Sequence, residues 1–186
     1  MTGTGRPGAA SCKVLVIGLG NPHRGDDATG AIVAQALCGR LPADVRVVVR
    51  GSDLLGLIED WAGFDGLVCV DAAAPLGTPG RIHRIDLLAR RLPKRLALTS
   101  SHAFGLAEAI ELARTLQLAP RQIIVYAVEG GSFDCGTPLT PAVAAAVHVV
   151  ADQIVAEVGR LRGTSGRVTQ AGYCGQTITR ENDECT

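Results

Sequence analysis

The chain has 186 residues, of which 47% are hydrophobic and 3% aromatic, and its eighteen basic residues balance its eighteen acidic ones. This length and apolar content predict one globular domain with a full core, not a disordered chain. The balanced charge and the scarcity of aromatic rings argue against nucleic acid and anionic membrane surfaces as partners, which favours a small molecule or a protein.

No stretch approaches about 18 uninterrupted apolar residues, so the sequence predicts no membrane span. The six cysteines include no pair with metal-site spacing. Cys69 and Cys38 are expected to be reduced residues that fill the core. We therefore expect a protein of the reducing cytoplasm. We also expect it to be a monomer.

Five segments predict the strands of one sheet. Val14 to Ile17 and Gly66 to Val70 are continuous apolar runs, which is typical of strands covered on both faces. Residues 81–86 carry charge at most positions and are expected to form an edge strand. The predicted strands are residues 13–18, 45–50, 66–71, 81–86 and 121–129.

The segments between the strands predict four helices, at residues 27–41, 53–62, 103–118 and 141–160. In the last one, branched apolar residues recur every three or four positions, and Thr140 with Pro141 forms a good helix start. The alternation predicts a three-layer α/β/α sandwich around a mostly parallel, twisted five-stranded sheet. This domain spans residues 13–162, between a flexible segment at 1–12 and a disordered tail at 163–186.

Residues 20–30 form a glycine-rich segment, Gly-Asn-Pro-His-Arg-Gly-Asp-Asp-Ala-Thr-Gly, directly after the first predicted strand. Its glycine spacing is that of a phosphate-binding loop, but Asp26 and Asp27 stand where such a loop has Lys-Ser/Thr and would repel a phosphate. A dinucleotide fingerprint needs a glycine at His23 and an acidic residue at Arg50. The segment therefore predicts a turn that accepts a cation or a neutral peptide group, with no nucleotide cofactor.

Three residues that can do chemistry are expected at one edge of the sheet. Asp27 follows the first strand, Asp71 ends the third, and His102 starts the third helix. The carboxyl ends of parallel strands converge, and two carboxylates with one imidazole suit nickel, zinc or iron. The helix dipole at His102 disfavours the imidazolium and leaves the neutral form that binds metal.

Each of these residues also has a purely structural interpretation. One of Asp26 and Asp27 is expected to cap the first helix. Asp71 can form an Asx turn before Pro75, and His102 can be a solvated residue at a helix start.

Other side chains are weaker candidates. His23 is expected to be exposed in the glycine turn, and His83 and His148 are expected on the surface. Ser101 lacks the Gly-x-Ser-x-Gly context of a nucleophile elbow, and Cys135 has no recognisable base nearby in sequence.

Four segments resemble the hydrogenase maturation endopeptidases, the proteases that trim the large-subunit precursor of nickel–iron hydrogenases. They occur in the family's order between about residues 13 and 160, and four in register are fairly specific. The segments are Val-Ile-Gly-Leu-Gly-Asn at 16–21 with Gly-Asp-Asp-Ala-Thr-Gly at 25–30, Leu-Val-Cys-Val-Asp-Ala at 67–72, Ser-His-Ala-Phe-Gly-Leu-Ala at 101–107, and Leu-Thr-Pro-Ala-Val at 139–143.

The resemblance implies that Asp27, Asp71 and His102 contact a metal and carry the catalysis. It implies an endopeptidase that removes a short C-terminal extension from a precursor already holding nickel, so that the precursor supplies the metal and the metal is the recognition signal. One departure is that the family often has an acidic residue and Gly-Gly-Thr-x-Gly after the second strand. This chain has Arg-Gly-Ser-Asp at 50–53, which can alter the precursor that fits.

Two other functions remain open. A metal-binding assembly factor would bind the same precursor without cutting it. Peptidyl-tRNA hydrolases share the Gly-Leu-Gly-Asn-Pro opening and a similar fold type, but they need several asparagines in the cleft. This chain contains only Asn21 and Asn182 and lacks a basic surface for tRNA.

Overall fold

A computed structural model describes residues 12–51, 54–87 and 101–163. Its strands are β1 (Val14–Leu19), β2 (Arg46–Arg50), β3 (Gly66–Ala73), β4 (Ile82–Asp86) and β5 (Gln122–Glu129). They form one sheet in the order β2-β1-β3-β5-β4, in which β4 is antiparallel to β5 and the other pairs are parallel. The predicted mostly parallel sheet is therefore confirmed, with residues 82–86 as the expected edge strand.

Helices cover both faces of this sheet, because the central strands alternate apolar side chains between two cores. The helices are α1 (Thr29–Ala36), α2 (Leu54–Trp61), α3 (Ser101–Thr115) and α4 (Pro141–Leu161). Val16 and Val68 pack with α1 and α4, whereas Ile17 and Cys69 pack with α2 and α3. This arrangement is the predicted three-layer sandwich.

The first helix is shorter than the sequence predicted. It begins with a 3₁₀ turn at Gly25–Ala28, continues as α1, and ends at Ala36 instead of reaching residue 41. Gly39 ends the helical path because its φ of +71° lies in the left-handed region.

Helix α4 is long and apolar enough in composition to cross a membrane. Its predicted stripe is nevertheless buried against the sheet, so α4 is a core helix of this fold. The stripe consists of Val143, Val147, Val150, Ile154 and Val158.

An ion pair between the exposed Arg84 and the buried Glu157 joins α4 to the β4 edge. Arg84 of β4 binds Glu157 through Nε at 2.8 Å and Nη2 at 3.1 Å, and the Tyr126 hydroxyl donates to the same carboxylate at 3.2 Å. Burial opposes ionisation of Glu157, but the hydrogen bonds from Arg84 and Arg160 lower the pKa of its carboxyl group. Burial also raises the pKa of Tyr126 to about 12, so its hydroxyl stays protonated and can donate.

Several smaller expectations have mixed outcomes. Cys69 is buried and free, as predicted, but Cys38 is exposed and disulfide-bonded, so a reduced core position is wrong for it. His23 and His148 are exposed as expected, whereas the His83 side chain is only 19% exposed, because β4 turns it towards Glu129. The predicted flexible N-terminal segment, except Cys12, and the predicted tail, except Gly163, lie outside the described residues.

Candidate active site

The glycine turn lies at the carboxyl edge of the sheet, between the ends of β1 and β3. Gly30 allows the turn to pack this closely on the two strands, because an added Cβ would lie 2.1 Å from the Leu19 carbonyl oxygen and 2.7 Å from the Val70 carbonyl oxygen. No larger residue fits there without moving α1 off the sheet. The turn therefore holds Asp27 beside the end of β3, where Asp71 lies.

Asp27 is the buried carboxylate of this turn and is 1% exposed. Its Oδ2 accepts a hydrogen bond from the Asn21 backbone N–H at 3.1 Å. Its Oδ1 is buried and has no hydrogen-bond partner among the described residues. A buried carboxylate oxygen without a partner lowers the stability of the fold, so Oδ1 is a candidate to bind a cation or a proton.

Asp26, the preceding residue, is 0% exposed and faces the opposite way. Its carboxylate accepts hydrogen bonds from the backbone N–H groups of Gly131, Ser132 and Thr140 and from the Thr140 hydroxyl. Neither acidic residue caps the helix, since the start of the 3₁₀ turn and the start of α1 both lack a side-chain cap. The expected N-cap is therefore wrong, because the donors of a distant loop take up the Asp26 oxygens instead.

Asp71 is fully buried and lies inside β3, which continues to Ala73. Its Oδ1 accepts the Ala72 backbone N–H at 2.8 Å. An Asx turn before Pro75 is excluded because the backbone is in the parallel ladder, with Asp71 opposite Ala127 of β5. Strand alternation puts Asp71 on the same face as Cys69, the face that α2 and α3 cover.

His102 belongs to the first turn of α3, whose side chains at 101–105 lie outside the described residues. The other end of α3 is fixed, because Arg114 donates to the Leu87 carbonyl and the Leu87 N–H bonds to Ile123 at the start of β5. That contact is at the amino edge of the sheet, so the 15-residue helix, roughly 22 Å long, begins towards the carboxyl edge. The backbone thus directs His102 to the edge that carries Asp27 and Asp71.

The buried thiol of Cys69 lies close enough to Asp71 for the charge of that carboxylate to affect the pKa of the thiol. Burial raises the pKa of Cys69, and the negative charge of Asp71 adds to the increase. Cys69 therefore stays a protonated, inert thiol beneath the site.

Glu129 is a fourth buried carboxylate at this edge, 1% exposed, and the sequence did not single it out. Its Oε1 accepts the backbone N–H groups of Leu76 and Thr78, each at 2.5 Å. These bonds fix the loop at residues 74–80 that follows β3. An acidic residue at the end of an otherwise apolar strand, directly before two glycines, was the available sequence signal.

Arg50, which stands where the resembling family often has an acidic residue, is paired. Its Nε and Nη2 bind the Asp60 carboxylate of α2 at 2.6 Å and 2.9 Å. Asp60 is buried, so this bidentate pair fixes α2 to the end of β2. Residues 52–53 of the same segment lie outside the described residues.

A divalent cation fits the chemistry of the described groups. Asp27 offers an unpartnered buried oxygen, and Asp71 lies on the neighbouring strand at the same edge. Among the described side chains no three metal-binding groups cluster, and the side chain of His102 lies outside them. The trio of Asp27, Asp71 and His102 therefore stays a prediction.

Comparison with known proteins identifies the family to which these residues are similar. The sequence model of the HycI family, described as hydrogenase maturation protease, matches residues 33–157. Asp71 and His102 lie within the match, and Asp27 lies just before it.

Relatives and solved structures agree with this match. The chain is 28% identical over 148 residues to the hydrogenase 2 maturation protease of Escherichia coli K12, covering 77% of this chain and 89% of that protein. It is similar to the hydrogenase maturating endopeptidase HybD of E. coli, with a TM-score of 0.70, 27% identity and coverage of 80% and 93%. The hydrogenase 2 maturation peptidase of Thaumarchaeota archaeon SCGC_AB-539-E09 gives a TM-score of 0.61, 27% identity and coverage of 79% and 98%.

Proposed function

The chain belongs to the hydrogenase maturation protease family, and we propose that it removes a short C-terminal extension from the nickel-loaded precursor of a nickel–iron hydrogenase large subunit. The observation that carries the site is the buried, unpartnered Oδ1 of Asp27 at the same sheet edge as Asp71. A protein that only stored metal would not need to belong to a family of peptidases. The assembly-factor and peptidyl-tRNA hydrolase alternatives are accordingly not favoured.

The proposed metal-contacting trio is Asp27, Asp71 and His102, and the nickel arrives with the precursor as part of the substrate. A divalent metal supplies polarisation of a peptide carbonyl and a lower pKa for a bound water. In this chain Asp27 is held by the Asn21 N–H through one oxygen, which leaves the other free to face substrate. Since a precursor without nickel would lack this contact, cleavage would depend on correct loading.

Proton transfer is assigned to the carboxylates. Asp27 or Asp71 takes the proton of the attacking water and returns it to the leaving amine. In a second version the two carboxylates act as an acid/base pair, as in aspartic proteases, and the metal only docks the substrate. We favour docking combined with metal-assisted positioning, because cleavage then depends on the nickel that the precursor carries.

His102→Ala tests whether cleavage needs the metal contact that both versions assume. If the metal contact is required, processing of the nickel-loaded precursor falls at least about 100-fold. If processing survives intact, His102 and the metal contact are removed from the mechanism.

The reaction itself is tested by incubating the nickel-loaded large-subunit precursor with the protein and weighing the products by mass spectrometry. We expect a loss of mass equal to a C-terminal peptide. The same precursor without nickel is the matched control and should keep its mass. An unchanged mass for the nickel-loaded precursor would instead support the non-proteolytic carrier.

The setting of the reaction is part of the same proposal. The absence of a nucleic-acid partner and of a membrane partner fits a protein of zero formal net charge at pH 7. A monomer in the cytoplasm with no nucleotide cofactor completes the proposal. Fractionation of cells that express the chain would test the compartment.

A further inference from the structure

We propose that Asp26 is a positioning residue that orients the candidate metal ligand Asp27 by tying the glycine turn to the loop at residues 130–140, called here the clamp loop. This inference rests on the proposed function, since it concerns the same site. It assigns to the two adjacent carboxylates different tasks that the sequence does not distinguish.

The clamp loop surrounds the Asp26 carboxylate with donors. Oδ2 accepts from the Gly131 N–H at 2.7 Å, the Ser132 N–H at 3.1 Å and the Thr140 hydroxyl at 2.9 Å. Oδ1 accepts from the Thr140 N–H at 2.7 Å. A fully buried carboxylate that accepts hydrogen bonds through both oxygens has its direction fixed.

Backbone bonds bring the same two segments together. The Gly25 N–H donates to the Thr137 carbonyl at 3.1 Å, and the Asp26 N–H donates to the Ser132 carbonyl at 2.9 Å. Gly25 has no room for a side chain, because an added Cβ would lie 2.7 Å from the Ser132 carbonyl oxygen. The glycine turn therefore packs tightly against the clamp loop, and this contact leaves the turn little freedom to rotate.

This contact determines where Asp27 points. The 3₁₀ turn has no side-chain cap, so Asp26 is the side chain that anchors it among the described residues. Asp27 projects to the other side, towards Asn21 and Gly20, and leaves Oδ1 unpartnered. If the turn rotated, Oδ1 would meet a backbone donor or water and would be lost as a ligand.

Glu157 provides a matched control. It too is a buried carboxylate that accepts hydrogen bonds from a distant segment, but it joins α4 to β4 through Arg84. It lies near the C-terminal end of α4, roughly 24 Å along that helix from its start at Pro141, which is beside the clamp loop. Glu157→Ala therefore copies the loss of stability without disturbing either carboxylate of the site.

The test measures Ni²⁺ binding to the full chain by isothermal titration calorimetry, with the melting temperature of each variant recorded beside it. We expect Asp26→Ala to weaken Ni²⁺ binding by about tenfold or more. Glu157→Ala should lower the melting temperature but keep the affinity of the wild type. Asp26→Asn, which keeps the volume but sets an amide donor against a clamp-loop N–H, should weaken binding in the same direction.

Three results would overturn the inference: an unchanged affinity in a folded Asp26 variant, an equal loss of affinity in Glu157→Ala, or no Ni²⁺ binding by the wild type. If Asp26→Ala does not fold, Asp26→Asn decides. The precursor assay on the wild type stands apart from these outcomes. A protein whose Ni²⁺ affinity depends on Asp26 but which leaves the precursor uncut would overturn the proposed function alone.

Discussion

At the scale of single residues, adjacent carboxylates of equal burial have opposite surroundings. Asp26 is satisfied by donors from the clamp loop, whereas Asp27 keeps one oxygen without a partner. A group left unsatisfied in a core lowers stability and is retained where function needs it. This difference separates the residue that builds the site from the residue that acts in it.

This contrast predicts that the Asp27 carboxylate supports activity and lowers the stability of the fold. Asp27→Asn keeps the shape and the acceptor for the Asn21 N–H but removes a buried charge. We expect processing to fall at least about 100-fold, while the unfolding free energy stays the same or rises by about 1 kcal/mol. Precursor cleavage rates and urea denaturation measure the two effects.

Asp134→Asn is the control for that change, because Asp134 is an exposed carboxylate of the clamp loop. It should leave both quantities unchanged. A clear loss of stability in Asp27→Asn would contradict the interpretation, since it would mean that the Asp27 charge is satisfied in the folded protein.

At the scale of elements, the site depends on how closely α1 packs on the sheet. Gly30→Ala would put a methyl group 2.1 Å from the Leu19 carbonyl oxygen, so helix and strand must separate. We expect a loss of about 3 kcal/mol in unfolding free energy together with loss of processing. Gly66→Ala in β3 is the comparison, because its new Cβ would have no neighbour nearer than 3.5 Å.

That comparison should be tolerated within about 1 kcal/mol, since Gly66 lies in a regular strand. Thermal or chemical denaturation of the two variants measures the difference. Equal stabilities for Gly30→Ala and Gly66→Ala would show that the contact between α1 and β1 is looser than the structure indicates.

A second prediction at this scale concerns the ion pair between α4 and β4. The folded pKa of Glu157 lies below its ordinary value of 4.5, so its stabilising effect is complete above pH 4.5 and is lost as the pH falls through the folded pKa. Glu157→Gln should lose about 2 kcal/mol at neutral pH. The gap in melting temperature between wild type and variant should close as the pH falls below 4.5.

Asp44→Asn removes the ion pair with Arg162, in which the Asp44 side chain is 61% exposed, and serves as the control. Solvent screening makes such a pair weak, so its effect should be small at every pH. A gap between wild type and Glu157→Gln that stays constant into acid would contradict the assignment of the pH dependence to Glu157.

At the scale of the whole molecule, function requires one face of the sandwich to stay open to a large protein substrate. The carboxyl edge carries the glycine turn, the clamp loop and the loop held by Glu129, and its exposed residues include Leu76. The other large apolar side chains that are exposed among the described residues lie on or after α3 and on α4, away from this rim.

We predict a monomer, because few large apolar side chains are exposed on the described surface. Light scattering coupled to size exclusion should give a mass of 19.2 kDa. The measurement belongs at a pH away from 7, where the formal net charge of zero would promote association. A mass of twice this value under those conditions would contradict the prediction.

The order of strands and helices follows from the sequence, because each element must bury its own apolar pattern. Residues 66–70 have to be a covered strand, and the valines of α4 have to face a core. The location of Asp27 and Asp71 at one edge of the sheet could also be predicted, since parallel strands end at one edge. These are properties of local pattern and chain order.

Only the tertiary structure decided which groups are satisfied. The donors of Asp26 come from residues 105 to 114 positions later in the chain, and no local pattern announces them. The partners of Arg50 and Glu129 were equally hidden from the sequence, because a side chain meets whatever the packed sheet brings beside it. Hydrogen bonds between distant segments arise from the packing of the whole chain, so the roles of Asp26 and Asp27 diverge only once the protein is folded.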